Sequence, residues 1–150
     1  MRPPSAPRTV KQAAALPFRD LGGQLEICLI TTRTSGRWSI PKGFIDPGDT
    51  AAGTARKEAG EEAGVRGRVV GSPVGYYEIT KGGATYTVAV YLLHVDRVDA
   101  QWDEQDLRTR RWVTADEAVG LLKGHPVEAV FRRGLTQITA RAVHREGSTP

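Results

Sequence analysis

The sequence is poorest in sulfur: one cysteine and one methionine among 150 residues. A lone Cys28 rules out a disulfide framework within one chain, which fits a reducing compartment and an expected cytoplasmic location. It lies inside the apolar run "LEICLITT", with no neighbour to lower its pKa, and reads as a small core side chain instead of a nucleophile. No segment approaches the ~20 apolar residues of a membrane span. "MRPPSAPRTV" has no apolar stretch of the kind that opens a secretory leader, so none is expected there. Aromatics are also scarce, at 7%.

What is present is ordinary for a globular chain: 39% hydrophobic and 25% charged residues, a length sufficient for a real core. The net charge of +4 permits a polyanionic partner without requiring one. Residues 1–9 and the tail 145–150 are rich in Pro, Ser and Gly and are expected to be flexible, leaving 10–144 as one domain. Strands are expected over 13–18, 25–32 and 37–43, and in "GRVVGSPVGYYEIT" and "TYTVAVYLLHVD", joined by a "KGGA" turn, with a short one at "RRWVT". Residues 51–63 have helical spacing and stop at Gly64, a natural left-handed cap. Thr114 and Glu117 have capping-box spacing, and Pro126 opens a last helix. Helices interleaved with strands predict an α/β or α+β layered fold.

"GFIDPGDTAAGTARKEAGEEAGV", residues 43–65, carries the chemistry. At ~100° per residue, Glu58, Glu61 and Glu62 fall within roughly 100° of arc, beside a stripe formed by Ala51, Ala52, Ala55, Ala59 and Ala63. Small residues let the helix lie close to a sheet, so the acids sit low at a cleft edge. Like charges at this spacing destabilise a helix by a few tenths of a kcal/mol per pair. They also lie at the end the helix dipole disfavours. A divalent cation reverses the sign of both effects, and clustered hard oxygens suit Mg²⁺. The preceding "PKGFIDPGD" is a constrained loop whose carbonyls can face an ion, with Lys42 and Arg37 nearby to meet phosphate.

The stretch resembles the Nudix box: Gly43, then Asp49 where the family has Glu, Lys57 where it has Arg, then Glu58, Ala59, Glu61, Glu62, Gly64 and Val65, all at the family's spacing. "FR" at 18–19, "RWSIPKG", the segment from Trp102 to Trp112, and "HPVEAVF" resemble the diphosphoinositol polyphosphate phosphohydrolase branch, which also cleaves diadenosine polyphosphates. The resemblance implies an α/β/α sandwich with a mixed central sheet and a Mg²⁺-dependent pyrophosphohydrolase, Mn²⁺ being the alternative ion. It implies Glu58 and Glu62 as ligands with the Gly43 carbonyl, and Glu61 as the base, itself close enough to bind an ion. Glu78 and Glu104 are candidates for a further ligand.

Arg19, Arg37, Lys42, Lys81, Arg108 and Arg110 are the basic residues expected around a polyphosphorylated small-molecule substrate. His125, where the branch has Lys, reads as a surface residue at a helix start. Trp38, Trp102 and Trp112 read as core or cleft wall. Triphosphorylated RNA is the alternative substrate, and a non-cleaving phosphate sensor the alternative function.

Overall fold

In the computed structural model, residues 8–147 are described, with side chains through Arg141. The terminal segments expected to be flexible therefore fall largely outside the described residues. Two ends differ from expectation. The first strand, β1, already begins at Arg8 (Arg8–Leu21), and the last helix, α3, runs from Glu128 to Gly147.

Between them follow β2 (Gln24–Thr31), β3 (Trp38–Ser39), β4 (Lys42–Phe44), helix α1 (Ala51–Glu58) with a widened turn (Ala59–Ala63), β5 (Val65–Lys81), β6 (Ala84–Val98), β7 (Arg110–Thr114) and α2 (Ala115–Leu121). The sheet has seven strands in the order β3-β2-β1-β6-β5, with β4 on β1 and β7 on β2. It is mixed: β1 runs parallel to β6, whereas its pairs with β2 and β4 are antiparallel. The central strand is apolar on both faces, as covered sheets require. Ala13 and Ala15 face α1, while Ala14, Leu16 and Phe18 face the layer of α2 and α3. Cys28 lies in the first of these layers with its thiol pushed up to about 12 by burial, and is chemically quiet.

Helix α1 begins at Thr50, whose Oγ1 accepts the Gly53 N–H at 3.0 Å. Ala55, Ala59 and Ala63 are all fully buried, so the alanine stripe sets the helix directly on the strands. The regular helix expected to Ala63 in fact gives way after Glu58 to one π turn. Such a turn is wider than an α turn and is commonly found at functional sites. Here it carries Glu61 and Glu62, and Gly64 closes it in the left-handed region at φ 64°.

Gly64 is pinned twice, because a Cβ there would also lie 2.8 Å from the Trp102 ring. Gly64→Ala is expected to destabilise the fold by on the order of 1–3 kcal/mol, lowering the Tm by roughly 3–10 °C in a thermal melt.

Candidate active site

The three box glutamates hang from the end of α1 and its π turn, and Glu58 and Glu62 lie against β4. Gly43 is where the two segments touch: a Cβ on it would overlap the Glu58 carboxyl group. Only glycine lets that backbone approach so closely. Glu62 is 3% exposed. The Lys42 backbone N–H reaches both of its oxygens at 3.4 Å, and Arg108 Nη2 lies 3.5 Å away. Arg108 is shared, since its Nε donates to Glu104 at 3.0 Å and its Nη1 to the Thr31 carbonyl at 3.1 Å. Trp102 Nε1 donates to the Glu62 carbonyl at 3.1 Å and fixes the turn from the other side.

These surroundings disfavour the ionised acids. Burial, with Glu61 beside it, raises Glu58 to about 7. Burial raises Glu62 to about 8 against the opposing pull of Arg108, with Glu58 adding repulsion. Lys42 is held below the usual ammonium range by burial, although Glu62 opposes the shift. Glu61 is half-buried and edges a cavity of about 310 Å³ with Lys57, Gly60, Arg66 and Trp102. Among the described residues no three His, Cys, Asp or Glu side chains are gathered closely enough to hold an ion on their own.

The basic residues divide. Lys42 and Arg108 lie at the Glu62 carboxyl group, and Lys81 is near enough to Lys42 to oppose its charge. Lys42 Nζ also donates to Gln12 Oε1 at 3.3 Å. Arg110 instead donates to the carbonyls of Ala63 and Asp99 at 2.9 Å each, and stacks over Trp102. Arg19 pairs with Glu26 at 2.9 Å and stacks over Trp112. Arg37 lines a separate cavity with Trp38, Lys123 and His125. Glu78 is exposed on β5, and Lys57 reaches Asp46 at 3.9 Å.

Sequence reasoning missed three neighbours. His125 is no free surface residue. Its Nδ1 accepts the Val127 N–H at 2.9 Å, which leaves the proton of the neutral ring on Nε2, and that donates to Ser39 at 3.0 Å. Gln12 and Tyr77 are buried polar residues from distant strands. Nothing in their local sequence sets them apart; the register that pairs Gln12 with Val88 and Val88 with Tyr77 puts them in one row.

The fold and the acids at one cleft fit a hydrolase of phosphoanhydride bonds, and it is comparison with known proteins that gives this class. The chain belongs to the NUDIX domain family, whose model matches residues 9–135. It is 31% identical over 128 residues to the Bos taurus diphosphoinositol polyphosphate phosphohydrolase 3-beta, covering 83% of this chain and 77% of the relative. The Homo sapiens 3-alpha enzyme is 32% identical over 124 residues, covering 81% and 74%. Among solved structures, the Ap4A hydrolase of C. elegans superposes with a TM-score of 0.73 at 21% identity, covering 87% of this chain and 98% of that one. The NUDIX domain of Shewanella oneidensis NrtR, in complex with ADP ribose, superposes with a TM-score of 0.71 at 13% identity over 87% and 88%. These two structural likenesses speak for the fold.

The raised acids give a pH test. A carboxyl whose folded pKa exceeds its unfolded value keeps its proton in the folded state, so its contribution is present at low pH and lost as pH rises through the folded pKa. With Glu58 near 7 and Glu62 near 8, the protein in EDTA should lose stability between about pH 4.5 and 8.5. Melts of Glu62→Gln should show a flatter profile, with a Tm that rises relative to the parent as pH increases from about 4.5 and is a few degrees above it by pH 8.5.

Proposed function

We propose that the chain is a Mg²⁺-dependent pyrophosphohydrolase of polyphosphorylated small molecules acting in the cytoplasm, with diadenosine polyphosphates and diphosphoinositol polyphosphates as its first substrates to test. The observation that carries this reading is Glu62, a buried carboxylate held by one weak backbone donor pair and a shared arginine, with Glu58 close enough to repel it. A buried, underpaired carboxylate is costly, and a hard divalent cation is the partner that such oxygens suit. By their chemistry the donors fit: Glu58 and Glu62, with Glu61 and the Gly43 carbonyl, would hold the ion once their side chains draw together, and Mn²⁺ suits the same oxygens. When bound, the ion supplies positive charge against the phosphate chain and Lewis acidity toward the attacking water.

The chain's own groups do the rest. Glu61 takes the proton from water, as the one of the three acids that edges an open cavity. Lys42 and Lys81 neutralise non-bridging phosphate oxygens, and Arg108 holds Glu62 and Glu104 in place. Phe44 gives a further clue about the substrate. It follows Gly43 directly, is 56% exposed, and meets Tyr86 at a ring-centroid distance of 6.2 Å. An exposed aromatic pair beside a phosphate site suits a nucleobase and offers little to an inositol ring, which favours diadenosine polyphosphate.

Incubation with diadenosine tetraphosphate and Mg²⁺ should release nucleotides, and EDTA should abolish release. Glu61→Gln and Glu62→Gln should each cut kcat by about 100-fold or more while binding persists. If parent and variants bind equally and none cleaves, the chain is a sensor and the enzymatic reading fails.

Phe44→Ala should raise KM for diadenosine tetraphosphate by about tenfold, the loss of one stacked base, and leave KM for a diphosphoinositol polyphosphate within about twofold. Steady-state kinetics with both substrates decides it.

A further inference from the structure

Gln12 stands on the central strand β1 where its buried stretch begins, and is 7% exposed. Burying an amide is unfavourable unless its hydrogen bonds are made, so its partner is informative. That partner comes from β4. The register sets Gln12 opposite Phe44 and Ala14 opposite Lys42, which makes Gln12 and Lys42 diagonal neighbours, within reach of long side chains. The Lys42 ammonium spans that diagonal and donates to Gln12 Oε1 at 3.3 Å.

The neutrality of this acceptor is what sets the pair apart. Among the described residues no ion pair engages the half-buried Lys42 ammonium, although the Glu62 carboxyl group lies against its own backbone N–H. Arg108 and Lys57, by contrast, each reach a carboxylate. A carboxylate at position 12 would hold the ammonium as well, but would cancel its charge toward an incoming anion. An amide oxygen holds it by a dipole and leaves the net charge in place. The four-carbon stem of a lysine otherwise ranges over many rotamers, and ordering it on binding weakens a ligand's affinity. A neutral tether removes that loss without spending the cation.

We propose that Gln12 is a positioning residue: its amide oxygen fixes the Lys42 ammonium, without neutralising it, for the phosphate chain of the substrate. The inference rests on the reading of Lys42 as a phosphate contact given above. Gln12 needs no contact with the substrate and acts through Lys42 alone. This explains why an amide is kept next to Ala13, Ala14, Ala15 and Leu16, all apolar and fully buried. The same register places the exposed Phe44 directly across from Gln12, so the phosphate cation and the aromatic surface flank one position of β1.

The test is a double-mutant cycle between positions 12 and 42, read by calorimetric titration of the full chain with inorganic tripolyphosphate in Mg²⁺. Gln12→Met keeps the length and removes the acceptor, and should weaken tripolyphosphate by about fivefold. Gln12→Glu keeps the shape and adds a charge, and should weaken it by about tenfold. Lys42→Met should also weaken it by about tenfold, and in that background Gln12→Met should have no further effect. With diadenosine tetraphosphate, Gln12→Met should raise KM by about the same fivefold and leave kcat within about twofold. Parent-like affinity in either Gln12 variant overturns the role, and so does an undiminished loss from Gln12→Met in the Lys42→Met background. A fall in kcat at unchanged KM overturns it as well. Should Gln12→Met not fold, the isosteric Gln12→Glu decides alone: weaker binding upholds the role, and parent-like or tighter binding overturns it. A parent that binds no tripolyphosphate, or a Lys42→Met variant with parent-like affinity, overturns the phosphate reading of Lys42 and this role together. A loss in Lys42→Met beside unchanged Gln12 variants removes this role alone.

Discussion

Burying the Glu62 carboxylate is the constraint around which this molecule is arranged. Three fully buried alanines, Ala55, Ala59 and Ala63, bring α1 and its π turn flat against the sheet. Larger residues would lift the helix and let the acid reach water. With the backbone so low, Glu62 meets β4, where Gly43 leaves space for Glu58 and the Lys42 N–H turns toward the carboxylate. A solvated acidic face would need none of this. Desolvating a carboxylate costs several kcal/mol unless it is paired, so the arrangement is held against its own electrostatics by packing around it.

The packing comes from residues that never touch the acids' oxygens. Trp102 holds the Glu62 carbonyl, stacks beneath Arg110, and lies against Gly64. Arg110 then clamps the carbonyls that close the π turn. On the other side, His125 ties the turn before α3 to Ser39, three residues ahead of Lys42. The π turn is thus gripped from one side and the loop that faces it from the other. Groups that read in the sequence as cleft lining serve as the brace that keeps like charges together.

What the sequence made legible was local. The box spacing, the cap at Gly64, the capping box at Thr114 and Glu117, and the hairpin at Gly82–Gly83 all depend on residues a few positions apart. The mixed α/β character followed from the alternation of strand and helix patterns. What stayed hidden depends on register. Gln12 looks like any polar strand residue until β1 runs parallel to β6 and brings it level with Val88, opposite Tyr77. Arg19 and Arg110 look like free cations until Glu26 and three backbone carbonyls claim them. The π turn was equally unreadable, since its sequence suits an ordinary helix and only the demands of Glu62 and Gly64 widen it.

That reassignment of the cations bears on the substrate. Of six basic residues marked from sequence, Arg19, Arg108 and Arg110 are held by protein acceptors, and Arg37 is exposed at the separate cavity it lines with His125. Lys42 remains beside Glu62 and is itself depressed by burial, and Lys81 acts on Lys42. A ligand bristling with phosphates needs a cation for most of them, because charge left unpaired at a half-buried cleft is unfavourable. A ligand with one short polyphosphate chain needs far fewer, and gains more from an apolar surface for its remaining part. Phe44 and Tyr86 supply such a surface. Under the proposed function, that aromatic area is the reason to test a nucleoside-bearing polyphosphate beside the densely phosphorylated ring that the sequence relatives are named for.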